Sequence, residues 1–151
     1  MSEFRSKLKV EVGEADSYFI LIEPLVYYSD LVGCEIVVPT GYSTNFASIP
    51  RLFQNIIQVN GKHRRPAAVH DYLCDFKKML GMPQGLVDKI FREAMAVVDV
   101  DFVESAVMYR MVRRYQITKA FLKGESYSGN PMTPEQEEFM RAALSGKLKP
   151  N

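Results

Sequence analysis

The feature that most constrains this chain is a change of hydrophobic period part way along it. Up to Val38 the chain has an alternating segment, Leu8 to Val12, and short runs rich in β-branched and aromatic residues, whereas from Pro66 onward the apolar residues recur every three or four positions. One kind of element cannot satisfy both, because successive strand side chains point to opposite faces while helical ones wind by about 100° each. The pattern predicts an α+β fold: a small N-terminal antiparallel β-meander packed on about three α-helices, with a short C-terminal helix.

Leu8-Lys9-Val10-Glu11-Val12 alternates and reads as the first strand. Tyr18 to Glu23 and Leu25 to Tyr28 are rich in aromatic and β-branched residues on either side of Pro24. A proline cannot donate to a ladder, so the strand bends there or lies at an edge. Cys34 to Val38 returns as the third strand.

The helical half begins at Pro66, where Val69, Tyr72, Leu73, Phe76 and Leu80 share one arc and Gly81 supplies a stop. A second helix is expected from about Pro83 to Val98, with Leu86, Val87, Ile90, Phe91 and Ala94 inward. A third, about Asp101 to Ala120, is apolar on much of its circumference and aligns Arg110, Arg113 and Arg114. The breaker-rich stretch Gly124 to Pro131 separates one domain, residues 1–123, from a C-terminal linker and short helix, residues 124–151. Thr133-Pro134-Glu135-Gln136 has capping-box spacing and predicts that last helix over Glu135 to Leu144.

A chain of 151 residues with 47% hydrophobic content can bury a real core as one domain. Lys plus Arg number 19 against 18 Asp plus Glu, a net charge of +1, a balance that argues against a dedicated nucleic-acid partner. Cys34 and Cys74 lack Cys-x-x-Cys spacing, so they form neither a zinc knuckle nor a disulfide framework, and reduced thiols are expected. No signal peptide is read at the N-terminus, and no stretch approaches the ~18 apolar residues of a membrane span.

Between the two halves lies a polar turn, Thr40 to Arg51. Gly41 opens conformations closed to other residues, Ser43, Thr44, Asn45 and Ser48 supply short polar side chains, and Pro50 fixes the exit. Arg51 to Gln58 reads as one or two helical turns. The helix that follows carries the only adjacent His-Asp pair, His70-Asp71, on the side opposite its large apolar arc and beside Ala67, Cys74, Lys77 and Lys78. An imidazole there acts as a base or a metal ligand. Asp88 lies at the border of the next apolar arc. Antiparallel packing through Gly81 to Pro83 brings it towards the first helix as a ligand or orienting carboxylate. The competing role for Asp88 is an exposed pair with Arg92, worth ~0.3 kcal/mol.

Four blocks occur in order: Val38 to Arg51, Ala67 to Cys74, Asp88-Lys89-Ile90-Phe91 and Tyr109-Arg110-Met111-Val112. Together they resemble a bacteriophage and prophage domain family of unknown function, with the motifs VPxGFxTDFASIPR and HDxLY, an Asp-x-x-Phe helix and a Tyr-Arg-x-Val helix. Asn45 stands where that pattern usually has Asp, and Cys74 where it usually has Tyr.

Two functions fit the resemblance. One is a small metal-assisted hydrolase acting during infection or lysis, with His70, Asp71 and Asp88 catalytic and Thr44, Asn45, Ser48 and Arg51 lining the pocket. Its cofactor would be a divalent metal, for which an amide oxygen at Asn45 is a weaker ligand than a carboxylate. The other is a non-catalytic tail- or head-associated virion component, or a host-interaction factor, in which the motifs brace the fold and other virion proteins are the partners. The expected location is the host bacterial cytoplasm or the virion.

Overall fold

The computed structural model describes residues 1–14, 18–46, 61–127 and 131–147. Ser48 and Arg51, and the helical turns expected from Arg51 to Gln58, lie outside the described residues. The fold is α+β, with six short strands followed by four helices among the described residues.

The strands are β1 (Glu3–Phe4), β2 (Val10–Val12), β3 (Phe19–Leu21), β4 (Leu25–Ser29), β5 (Cys34–Val38) and β6 (Ser43–Thr44). They make two antiparallel sheets rather than one meander, in the orders β1-β4-β5 and β2-β3-β6. The division falls at Pro24. The ladder of β3 ends at Leu21, and β4 begins at Leu25 in the other sheet. A residue with no N–H in the middle of an aromatic run has become a switch between sheets.

The hairpin β4-β5 pairs Leu25 with Val38 and Ser29 with Cys34. Its turn closes where the Gly33 amide donates to the Ser29 carbonyl at 2.9 Å. Leu25, Tyr27 and Ser29 alternate inward with Ile36 and Val38 opposite, so one face of this sheet is core.

The helices are α1 (Arg64–Leu80), α2 (Gln84–Val97), α3 (Phe102–Leu122) and α4 (Pro134–Leu144). Helix α1 ends at Gly81, whose φ of 67° lets its amide turn back to the carbonyls of Lys77 and Lys78. The three-residue connection to α2 leaves the two helices packed as an antiparallel pair. Helix α4 carries the capping box: the Gln136 amide donates to Thr133 Oγ1, and the Thr133 amide to Gln136 Oε1.

The main core joins Leu21, Leu25, Tyr27, Ile36 and Val38 of the sheets to α1, α2 and α4. Met140 and Leu144 bring α4 into it. A second cluster, Ala67, Phe91, Met95, Met108 and Val112, ties α1 and α2 to α3. Each fully buried Leu or Ile in these layers contributes about 1.5–3 kcal/mol. Helix α1 therefore has the sheet on one side and helices on the other. No helix among the described residues is long and apolar enough to cross a membrane.

Candidate functional site

Neighbours on a helix point about 100° apart, and this separates the His-Asp pair. His70 turns between α1 and α2 and is 1% exposed. The expectation that it lies on an open side of α1 is corrected: Pro66, Ala67, Val69 and His70 are all buried, because α2 covers the flank the sheet leaves. Asp71 turns towards the strands and accepts a hydrogen bond from Thr44 Oγ1 at 2.6 Å. Among the described residues the polar turn thus reaches α1 at Asp71 and, through Tyr42 OH, at Asp75, and not at His70. Thr44 is buried, and Asn45, next to it, is exposed.

His70 meets Asp88 instead, with Nε2 to Oδ1 at 2.9 Å. Asp88 is fully buried, and its two oxygens take two further donors: Gln84 Nε2 at 2.8 Å on Oδ1 and Tyr127 OH at 2.7 Å on Oδ2. Gln84 and Asp88 stand one turn apart on α2, so their side chains align on the face towards α1. Arg92, the alternative partner, lies over the Tyr109 ring at 5.3 Å from its centroid. Among the described residues, no buried side-chain nitrogen or oxygen lacks a hydrogen bond.

Burial alone disfavours a charged imidazole at His70; the Cys74 sulfur and the Asp88 carboxylate outweigh it and raise its pKa to about 10. The ring of Phe91 packs against the imidazole at 4.8 Å, closing off water on that side. Burial and the Asp88 carboxylate also push the Tyr127 hydroxyl up, so it stays a donor.

One turn along α1, Cys74 Sγ lies 3.8 Å from His70 Nδ1 and 3.7 Å from Nε2. Two amides converge on the same sulfur, Gln84 Nε2 at 3.5 Å and Gln116 Nε2 of α3 at 3.9 Å. Cys74 is half-buried and lines two hollows of about 440 and 610 Å³. The first extends past Lys77, Gln84 and Lys123, the second past Tyr42, Thr44 and Asp71. They share Cys74, Asp75, Gln116 and Lys119, and so form one cleft, which the buried His70 meets through Cys74.

The divalent metal does not fit these residues. Among the described residues no group of three His, Cys, Asp or Glu could hold a metal ion, and the oxygens of Asp88 already serve three donors. His70, Asp71 and Asp88 are distributed over two polar junctions that flank the cleft, not gathered into one chelate.

Gln84 and Tyr127 are members that sequence reasoning missed. Gln84 had a signal, its spacing of four from Asp88 on one helix face. Tyr127 had none, since it lies after α3 in a stretch rich in breakers. Arg110, Arg113 and Arg114 of α3 are exposed, and Arg113 lies over the Tyr127 ring at 5.9 Å.

Fold and cleft together define an α+β protein built round a buried His-Asp pair that faces a thiol at a cleft floor. Residues 19–112 match a family described as "Protein of unknown function (DUF1353)", and with more than half of its length matched the chain belongs to that family. No curated protein and no solved structure matches the chain significantly.

Proposed function

We propose that this chain is a small hydrolase of phage or prophage origin, acting during infection or lysis on an envelope polymer or lipid. His70 carries the proton, Asp88 orients and charges it, and Gln84 and Tyr127 hold Asp88 in place. The observation that supports this reading most is the 2.9 Å His70–Asp88 contact at zero exposure, in touch with Cys74 and Gln84 of the cleft wall. Buried charged pairs are costly to assemble, and a proton-holding pair next to a cleft suits acid-base work. Asp71 and Thr44 form one wall, and Asn45 lies at that end of the cleft.

The second reading is a non-catalytic virion component or host-interaction factor. It is favoured by the complete satisfaction of Asp88, which joins α1, α2 and the segment at Tyr127 as a brace would. Turnover of ester, amide and phosphodiester substrates by wild type, His70→Gln and Asp88→Asn separates the two. Hydrolysis lost in variants that still fold supports the enzyme. No hydrolysis, with the protein copurifying with phage particles, supports the brace.

A further inference from the structure

We infer that Cys74 is the nucleophile of this site and that the chain transfers an acyl group through a thioester. The inference rests on the hydrolase reading and adds to it the attacking atom and a substrate class, esters and amides of small acyl groups.

Four features converge on the sulfur. His70 lies within 3.8 Å through either ring nitrogen, and its Nε2 is held by Asp88, which leaves Nδ1 for the thiol. That is the nucleophile, base and orienting carboxylate order required of an activated thiol. The Gln84 and Gln116 amides, at 3.5 and 3.9 Å from Sγ, come from two other helices and place N–H donors where a carbonyl oxygen attacked by that sulfur would gather charge. Cys74 lines both hollows of the cleft, so a substrate reaches it from either end.

The near-equal distances from Sγ to the two nitrogens place the sulfur beside the ring and not in line with one of them. Catalytic hydrogen bonds of this kind are often long without substrate and tighten when it binds. Rotation about the Cys74 side chain is the adjustment needed.

In the reaction, Sγ, whose proton already rests on His70 Nδ1, forms a bond to the carbonyl carbon while the carbonyl electron pair moves onto oxygen. The oxyanion collapses and the bond to the alcohol or amine breaks, the leaving group departing with the proton from His70. A water then gives its proton to His70 and attacks the thioester carbon. The carbon–sulfur bond breaks, the acid departs, and the sulfur is left beside a protonated His70, as at the start.

Cys34 is the internal control. It lies half-buried in β5, burial raises its pKa, and no imidazole is among the neighbours that set it. The test exposes the wild-type chain at pH 7 to limiting iodoacetamide and, separately, to p-nitrophenyl acetate. Both adducts are located by peptide mass spectrometry. The expected result is alkylation of Cys74 about tenfold or more faster than Cys34, with an acetyl group trapped on Cys74. Asp88→Asn should slow acetylation, and Cys74→Ser, still folded, should abolish it.

Cys74 that takes no acetyl group and alkylates no faster than Cys34 overturns the inference. If hydrolysis then persists in Cys74→Ala and is lost in His70→Gln, the hydrolase reading stands with water as attacker. An acetylated Cys74 that never turns over supports the thiol nucleophile and overturns the hydrolase reading.

Discussion

Asp88 is the residue on which most depends, because it is a buried carboxylate whose charge is balanced by one imidazole and two neutral donors. Removing one partner of a buried charged pair costs more than removing a neutral hydrogen bond. Asp88→Asn is expected to destabilise the chain by about 3 kcal/mol. Tyr127→Phe, which leaves the carboxylate with its other donors, should cost about 1–2 kcal/mol. Denaturant titration of both variants gives the order, and equal losses would show that the charge is not what matters. Thr44→Val, which removes the donor to Asp71, should cost about 1–2 kcal/mol by the same measurement.

At the scale of elements, the polar link between α2 and the N-terminal sheet gathers on Glu93, beside the shared apolar core. Glu93 accepts from Tyr27 OH at 2.8 Å, Ser29 Oγ at 2.6 Å, Ser2 Oγ at 2.7 Å and the Leu31 amide at 3.2 Å. Those donors come from the first residue before β1, from β4 and from its turn, so the carboxylate fixes the angle between helix and sheet. Glu93→Gln should cost about 2 kcal/mol, and Tyr27→Phe should cost less in that background than alone. A double-mutant cycle with no coupling would show that the two groups act separately. On α4, Thr133→Ala removes half of the capping box and should cost about 1 kcal/mol.

These elements also show what the sequence disclosed. The helices were legible because their apolar spacing, Gly81 and the Thr133 cap are local signals. The approach of Asp88 to α1 followed from a short connection between two amphipathic helices. The division into two sheets was not legible, since Pro24 marks an interruption without saying which partner each half takes. His70 was placed on the wrong kind of surface for a related reason. Periodicity shows the face towards the larger core, and α1 has a second covered flank that only tertiary packing creates. Tyr127 reaches Asp88 from 39 residues away, a contact with no local trace.

For the whole molecule, the pair at His70 has a consequence for pH. Its folded pKa of about 10 lies above the ordinary 6.5, so the folded chain holds this proton more tightly than the unfolded one. The stabilisation is complete below about 6.5 and is lost as pH rises towards about 10. Thermal midpoints should therefore fall between pH 7 and 9, and Asp88→Asn should flatten that slope. His63, which burial and then Arg64 shift downward, acts in the opposite sense and only in the acid range. The raised tyrosines, Tyr27, Tyr42, Tyr72 and Tyr127, act above the ordinary tyrosine value of 10.0. The neutral interval thus belongs mainly to His70.

The most direct measurement is the titration of the His70 ring nitrogens by NMR in the intact chain. An imidazole that keeps its proton well above pH 8 is the predicted result, with the titration moving towards the ordinary value in Asp88→Asn. An imidazole that titrates at or below 6.5 in the wild-type chain would contradict the account, because the carboxylate and the sulfur would then not be holding the proton at the floor of the cleft.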